Sequence, residues 1–176
     1  MLSKKPHTIF IFFLALIFYS VPSHSQTSDD PYCTLFDKAM SLYKEKSMDS
    51  ALYFFNEAIA ASPSSAEAYF RRALVKEKLN DLDGANKDYD QAIAIDPQPV
   101  YYSNRGLNKS IKGNHQDAIG DFNKALELDP DYMQAYMNRG TAYHYMGDSV
   151  NACQDVGKAY ELGFKLARQF LEEYCR

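Results

Sequence analysis

The chain has 176 residues, of which 46% are hydrophobic and 24% charged, with 8 glycines and 7 prolines. That is enough for one ordinary domain or a short repeat array, and it excludes collagen-like, low-complexity and disordered classes. A net charge of −4 advertises no basic surface for nucleic acid, and three cysteines are too few for a disulfide-dense mini-scaffold.

The first element is a leader. Lys4 and Lys5 precede an unbroken apolar run over residues 9–19, and Ser23 and Ser25 stand three and one positions before Gln26. This is the layout of a secretory signal peptide spanning residues 1–25. Eleven apolar residues fall short of the ~20 that a membrane span needs, so no stable span is expected after cleavage. No cysteine directly follows the run, which argues against a lipid anchor. Cleavage removes two lysines and no acid, leaving 17 basic against 23 acidic residues, a net charge of −6. The expected location is secreted or periplasmic. Residues 26–31 read as a flexible polar lead-in.

From there the chain repeats. Ala51, Ala85, Ala118 and Ala152 are spaced 34, 33 and 34. The same intervals separate Phe55, Tyr89, Phe122 and Val156, and again Ala58, Ala92, Ala125 and Ala159. They also separate Ala39, Ala73, Gly106 and Gly140, and Leu35, Tyr69, Tyr102 and Tyr136. Each unit reads as two amphipathic helices: Leu35, Ala39 and Leu42 share one face of the first, and Ala51, Phe55 and Ala58 one face of the second. Lys46-Ser47, Asn80-Asp81, Gly113-Asn114 and Gly147-Asp148 are the turns inside units, and Pro63, Pro97 and Pro130 stop the second helices. The small residue of the first helix admits the second helix closely, and the aromatic and alanines of the second fill that contact. One such hairpin cannot bury its apolar face alone, so neighbours must stack.

After Gly163 a last helix is expected, with Leu166, Phe170 and Leu171 on its packed face and Arg168, Glu172 and Glu173 outward as a cap. Cys153 lies ten residues before Gly163 and Cys175 twelve after it, positions that come level in an antiparallel helix pair. A disulfide between them is expected, with two buried thiols as the alternative. Cys33, at the far end of the array, reaches neither and is either free or paired with another chain.

This pattern resembles the tetratricopeptide repeat, a 34-residue helix–turn–helix family. Aligned to it, the units are 32–65, 66–98, 99–132 and 133–164, with 165–176 as the capping helix. The resemblance implies an all-α solenoid of four units in which the first helices line a concave groove. The groove positions it implies are Phe36, Met40, Phe70, Arg71, Leu74, Asn104, Leu107, Met137, Asn138 and Thr141. Related arrays hold an extended peptide with an asparagine ladder, and Asn104 and Asn138 stand in that column. A carboxamide offers donor and acceptor together, so it pairs with any peptide backbone. The other reading of this pair is bonding to neighbouring helices or water. Arg72, Arg105 and Arg139 read as salt-bridge partners between repeats.

Other signals fail. Asp81-Leu82-Asp83-Gly84 hints at a calcium loop, but Leu79 stands where the first ligand belongs. His115 beside Asp117 lacks a nucleophile, and no metal-ligand spacing is evident. The reading is a non-catalytic interaction scaffold, without metal or cofactor, that binds a peptide or partner helix in its groove. The alternative is an assembly subunit of a cell-envelope complex acting through its outer face and ends, and residues 32–36 offer apolar surface for self-association.

Overall fold

A computed structural model describes residues 30–175. The expected signal peptide and its cleavage point before Gln26 lie outside the described residues. Among these there are nine helices and no strand. They are α1 (Pro31–Lys44), α2 (Met48–Ala61), α3 (Ala66–Lys78), α4 (Leu82–Ile95), α5 (Pro99–Ile111), α6 (His115–Leu128), α7 (Met133–Tyr145), α8 (Ser149–Glu161) and α9 (Ala167–Tyr174). Odd and even helices pair antiparallel, each pair packs on the next, and α9 closes on α8. The architecture is the α-solenoid of four helix–turn–helix units with a terminal helix that the repeat pattern predicts.

One device makes all four turns inside the pairs. Lys46, Asn80, Gly113 and Gly147 adopt left-handed backbone, with φ of 63°, 62°, 84° and 80°. The next amide then reaches back to a carbonyl of the ending helix: Ser47 N to Leu42 O at 2.9 Å, Asp81 N to Lys76 O at 2.8 Å, Asn114 N to Lys109 O at 2.9 Å and Asp148 N to Tyr143 O at 2.9 Å. These bonds satisfy carbonyls that a helix end would otherwise leave open. Asp81 also caps α4 by accepting from Gly84 N at 2.9 Å, and Asp83 pairs with Lys112. Both carboxylates of the apparent calcium loop therefore have structural partners.

The repeated columns form the core. Ala51, Phe55 and Ala58, and their equivalents through Ala152, Val156 and Ala159, are all buried. The small column faces them. A Cβ placed on Gly106 would stand 2.8 Å from Phe122 and 3.1 Å from the Ala118 carbonyl. One placed on Gly140 would stand 2.7 Å from Val156 and 3.0 Å from the Ala152 carbonyl. By contrast, a Cβ on Gly120 in α6 or Gly157 in α8 meets nothing within 4 Å. Gly120→Ala and Gly157→Ala should each raise stability by about 1 kcal/mol through helix propensity alone. Gly140→Val should lower it by about 1–3 kcal/mol by overpacking. Urea midpoints of the three variants check the contrast, and a loss at Gly120 would contradict it.

The last helix differs in detail from its expectation. It begins at Ala167, which is buried, while Leu166 is 79% exposed. Ala167, Phe170 and Leu171 form the packed stripe against Val156 and Ala159. The stripe starts one residue later because Leu166 precedes the first helical turn. Cys153 and Cys175 are joined by a disulfide with Cα atoms 5.6 Å apart, which ties the end of α9 to α8. Cys33 forms no disulfide within the chain.

Candidate functional site

The first helices of the pairs line the inner side of the stack, where α5 and α7 touch directly. A charged column anchors α3, α5 and α7 to the second helices of their pairs. The Arg105 guanidinium donates to both oxygens of Asp121, at 3.0 and 2.6 Å, and to Asp90 at 2.7 Å. Arg72 does the same to Asp88 (2.8 and 2.6 Å) and Asn56 (2.8 Å), and Arg139 to Asp155 (2.7 and 2.8 Å) and Asn123 (2.6 Å). Asp88, Asp121 and Asp155 belong to the same helix pair as their arginine. The expectation of salt bridges between repeats therefore holds for Arg105 with Asp90 and is corrected for Arg72 and Arg139, whose contacts with the preceding pair are to the neutral Asn56 and Asn123. The main ion pair closes each hairpin, and the third guanidinium contact reaches the preceding pair. Burial opposes the Arg105 charge, but its bonds to Asp121 and Asp90 outweigh that and raise its pKa. Asp155 raises that of Arg139 against the opposing effect of burial. Each arginine also lies 5.5 Å from a tyrosine ring, Tyr69, Tyr102 or Tyr136. These side chains are fully engaged in structure.

The expected groove residues divide into two groups. Phe70 is buried between Tyr101, 4.9 Å away, and Tyr89, 6.2 Å away, so it joins helix pairs and offers little face to a ligand. Phe36 and Met40 pack half-buried on the α1–α2 core, with Phe36 edge-on to Phe55. Leu74 packs on the α3–α4 core, and Met137 on the cluster that α8 and α9 share. Arg71 donates to Glu67 at 2.6 Å. Thr141 donates to the Met137 carbonyl at 2.8 Å. Asn104 is half-buried beside the Tyr89 hydroxyl, and Asn138 is half-buried on α7. Leu107 is 40% exposed.

Between α3 and α5 the inner side is closed by a polar bridge. Glu77 Oε1 accepts from the Tyr89 hydroxyl and from Asn108 Nδ2, both at 2.8 Å. Burial, and after it the Glu77 charge, raise the Tyr89 pKa well above the ordinary phenol value. One repeat on, the equivalents of Glu77, Tyr89 and Asn108 are Ser110, Phe122 and Ala142. None can bridge, and a hollow of about 440 Å³ opens between α5 and α7. Leu107, Ser110 and Ile111 line one side, and Thr141 and Tyr145 the other, with Gly113 and His115 at the rim. Ile111 is 63% exposed, and the His115 and Tyr145 rings stack 5.2 Å apart at 10°. The two hydroxyls between the apolar side chains already have partners: Ser110 Oγ shares a 2.9 Å bond with His115 Nδ1, and Thr141 bonds its own helix. The rest of the wall is mainly apolar. Ile111 and His115 were absent from the sequence-based groove, although Ile111 lies at the same 34 and 33 intervals as Lys44, Lys78 and Tyr145.

Among the described residues, no group of three His, Cys, Asp or Glu is placed to hold a metal ion, and no helix is long and apolar enough to cross a membrane.

Comparison with known proteins places these features. Residues 66–99 match a tetratricopeptide repeat model and residues 111–147 a TPR repeat model. DnaJ homolog subfamily C member 7 of Mus musculus and of Homo sapiens are each 30% identical over 144 residues, covering 72% of this chain and 29% of the relative. The chain thus spans under a third of the length of these curated relatives. Among solved structures, MamA has a TM-score of 0.72 at 23% identity, over 80% of this chain and 83% of that one. A tetratricopeptide repeat protein from Parabacteroides merdae has a TM-score of 0.71 at 21% identity, over 81% and 59%. The first TPR of Spaghetti, bound to the HSP90 peptide SRMEEVD, has a TM-score of 0.64 at 21% identity, over 66% and 94%. At these identities the structural likeness speaks to fold.

Proposed function

This chain belongs to the tetratricopeptide repeat family, and from that premise we propose that it is a non-catalytic scaffold whose concave side holds an extended peptide or helix of a partner protein. One observation carries the reading. The Arg72, Arg105 and Arg139 side chains of the first helices are tied into Arg–Asp pairs, while the inner side keeps an open, mainly apolar hollow, and the carboxamides of Asn104 and Asn138 on the same helices are half-buried. A surface of that kind suits peptide recognition, with backbone anchored by amides and a side chain taken by a pocket. The likeness to a repeat domain that holds a peptide supports the same mode of action.

We further propose that the protein works outside the cytoplasm, secreted or periplasmic, once residues 1–25 are removed. The basic and apolar layout of the leader and the Cys153–Cys175 disulfide support this.

The test is capture of partners from an extract of the cells that make the protein, by wild type and by the Asn104→Ala/Asn138→Ala variant, each first verified as equally helical by circular dichroism. The expected result is a partner held by wild type and reduced about tenfold or more in the variant, as for loss of two buried amide contacts. Equal capture by both sinks the ladder and moves the function to the outer face or the ends.

A further inference from the structure

One column of the inner side changes chemistry along the array. At equivalent positions near the ends of α1, α3, α5 and α7 stand Lys44, Lys78, Ile111 and Tyr145. Lys44 and Lys78 are exposed, and among the described residues neither belongs to an ion pair, whereas Lys76, Lys109 and Lys112 all do. Glu77, next to Lys78, has one carboxylate oxygen holding both Tyr89 and Asn108. Half of the column thus presents unneutralised ammonium groups, and the other half opens into the apolar hollow of Leu107, Ile111 and Tyr145.

Resting on the reading of a peptide-binding groove, we propose that its occupant is an extended segment of a partner protein with acidic residues at one end and one bulky apolar side chain at the other. The carboxylates lie against Lys44 and Lys78, and the apolar side chain enters the hollow between α5 and α7. The spacing follows from geometry. Packed helices stand about 8–10 Å apart and an extended chain rises about 3.3 Å per residue. Each step along the column therefore takes about three residues of ligand, and the hollow lies about three to five residues beyond the acid facing Lys78. The hollow accepts an apolar group without stranding Ser110 or Thr141, whose hydroxyls are already bonded.

The probes are fluorescein-labelled Gly/Ser peptides with two glutamates three residues apart and a phenylalanine four residues beyond, made in both chain directions. Anisotropy titration of the full chain reads their affinity. Binding of one direction is expected, weakened about tenfold when Phe becomes Ala and about tenfold when both Glu become Lys. Lys44→Glu/Lys78→Glu should invert the charge preference, so that the lysine peptide binds it better than the glutamate peptide. Ser110→Glu should abolish the benefit of Phe without unfolding the chain, because Ser110 is only half-buried and lines an open hollow in which a carboxylate keeps contact with water. Affinities indifferent to charge and to Phe overturn the inference. So does a neutral polar peptide held as tightly as the parents, yet if that binding is lost in Asn104→Ala/Asn138→Ala the groove remains the working surface. No binding of either parent at about 1 mM also overturns it, while the groove itself stands or falls on the capture experiment.

Discussion

Arg139→Met is expected to lower the stability of the folded chain by about 3–5 kcal/mol, more than the same change at Arg72 or Arg105. The three arginines make the same bidentate contact, but their carboxylates differ in what else holds them. Asp88 also receives Lys76 at 2.8 Å, and Asp121 receives Lys109 at 2.8 Å. The equivalent of those lysines in α7 is Tyr143. Asp155 therefore has Arg139 as its sole cation among the described residues, and its side chain is only 9% exposed. Removing the arginine strands a buried charge, and that stranding costs far more than the contact itself is worth. At Arg72 and Arg105 a lysine remains, and a loss of about 1–2 kcal/mol is expected. Urea midpoints of the three single variants measure the order. Equal losses at all three positions, or a loss under about 1 kcal/mol at Arg139, would mean that the carboxylates find water instead.

The second large effect lies at the other end of the chemistry. Cys153→Ser/Cys175→Ser should lower stability by roughly 3 kcal/mol, the chain-entropy value for closing a loop of this length. The link spans 22 residues. Helix α9 has eight residues, too few to hold a helix without tertiary support. Its packing rests on Ala167, Phe170 and Leu171, and Tyr174 beside the disulfide lies 4.5 Å from the His144 ring. Amide hydrogen exchange of the variant should show lost protection across α9 with little change in α1–α4, because each unit of a solenoid contacts only its neighbours. A variant with wild-type protection in α9 would show that the side-chain stripe alone holds the helix.

The architecture was legible because several independent columns share the intervals 34, 33 and 34, and each column has a packing cause. Gly106 and Gly140 stand where Phe122 and Val156 approach within 3 Å of a would-be Cβ, and the turn residues stand where the backbone must turn left-handed. The ionic column was half legible. Arg72, Arg105 and Arg139 were visible, but Asp88, Asp121 and Asp155 were not connected with them, although they repeat at 33 and 34. A pair 16 residues apart meets only when two helices fold back on each other, so hydrophobic periodicity does not reveal it. The site was less legible for a similar reason. Phe70 occupies a groove-facing position yet is covered by Tyr101 of the next unit, which only the stacking geometry decides. The hollow arises from what is missing, since Ser110 and Ala142 replace the Glu77–Asn108 bridge. Nothing in a single repeat announces such a gap, and only comparing junctions does.

The central claim is that the concave side is the working surface, and site-specific photocrosslinking tests it most directly. A benzoylphenylalanine is placed at Ile111, on the inner side, and in a second protein at Gln91, exposed on α4. Both are irradiated in cells that make the protein. The account predicts a discrete adduct from Ile111 that is absent from Gln91 and disappears when Ser110→Glu is added. An adduct from Gln91 alone would contradict it and assign the function to the outer face.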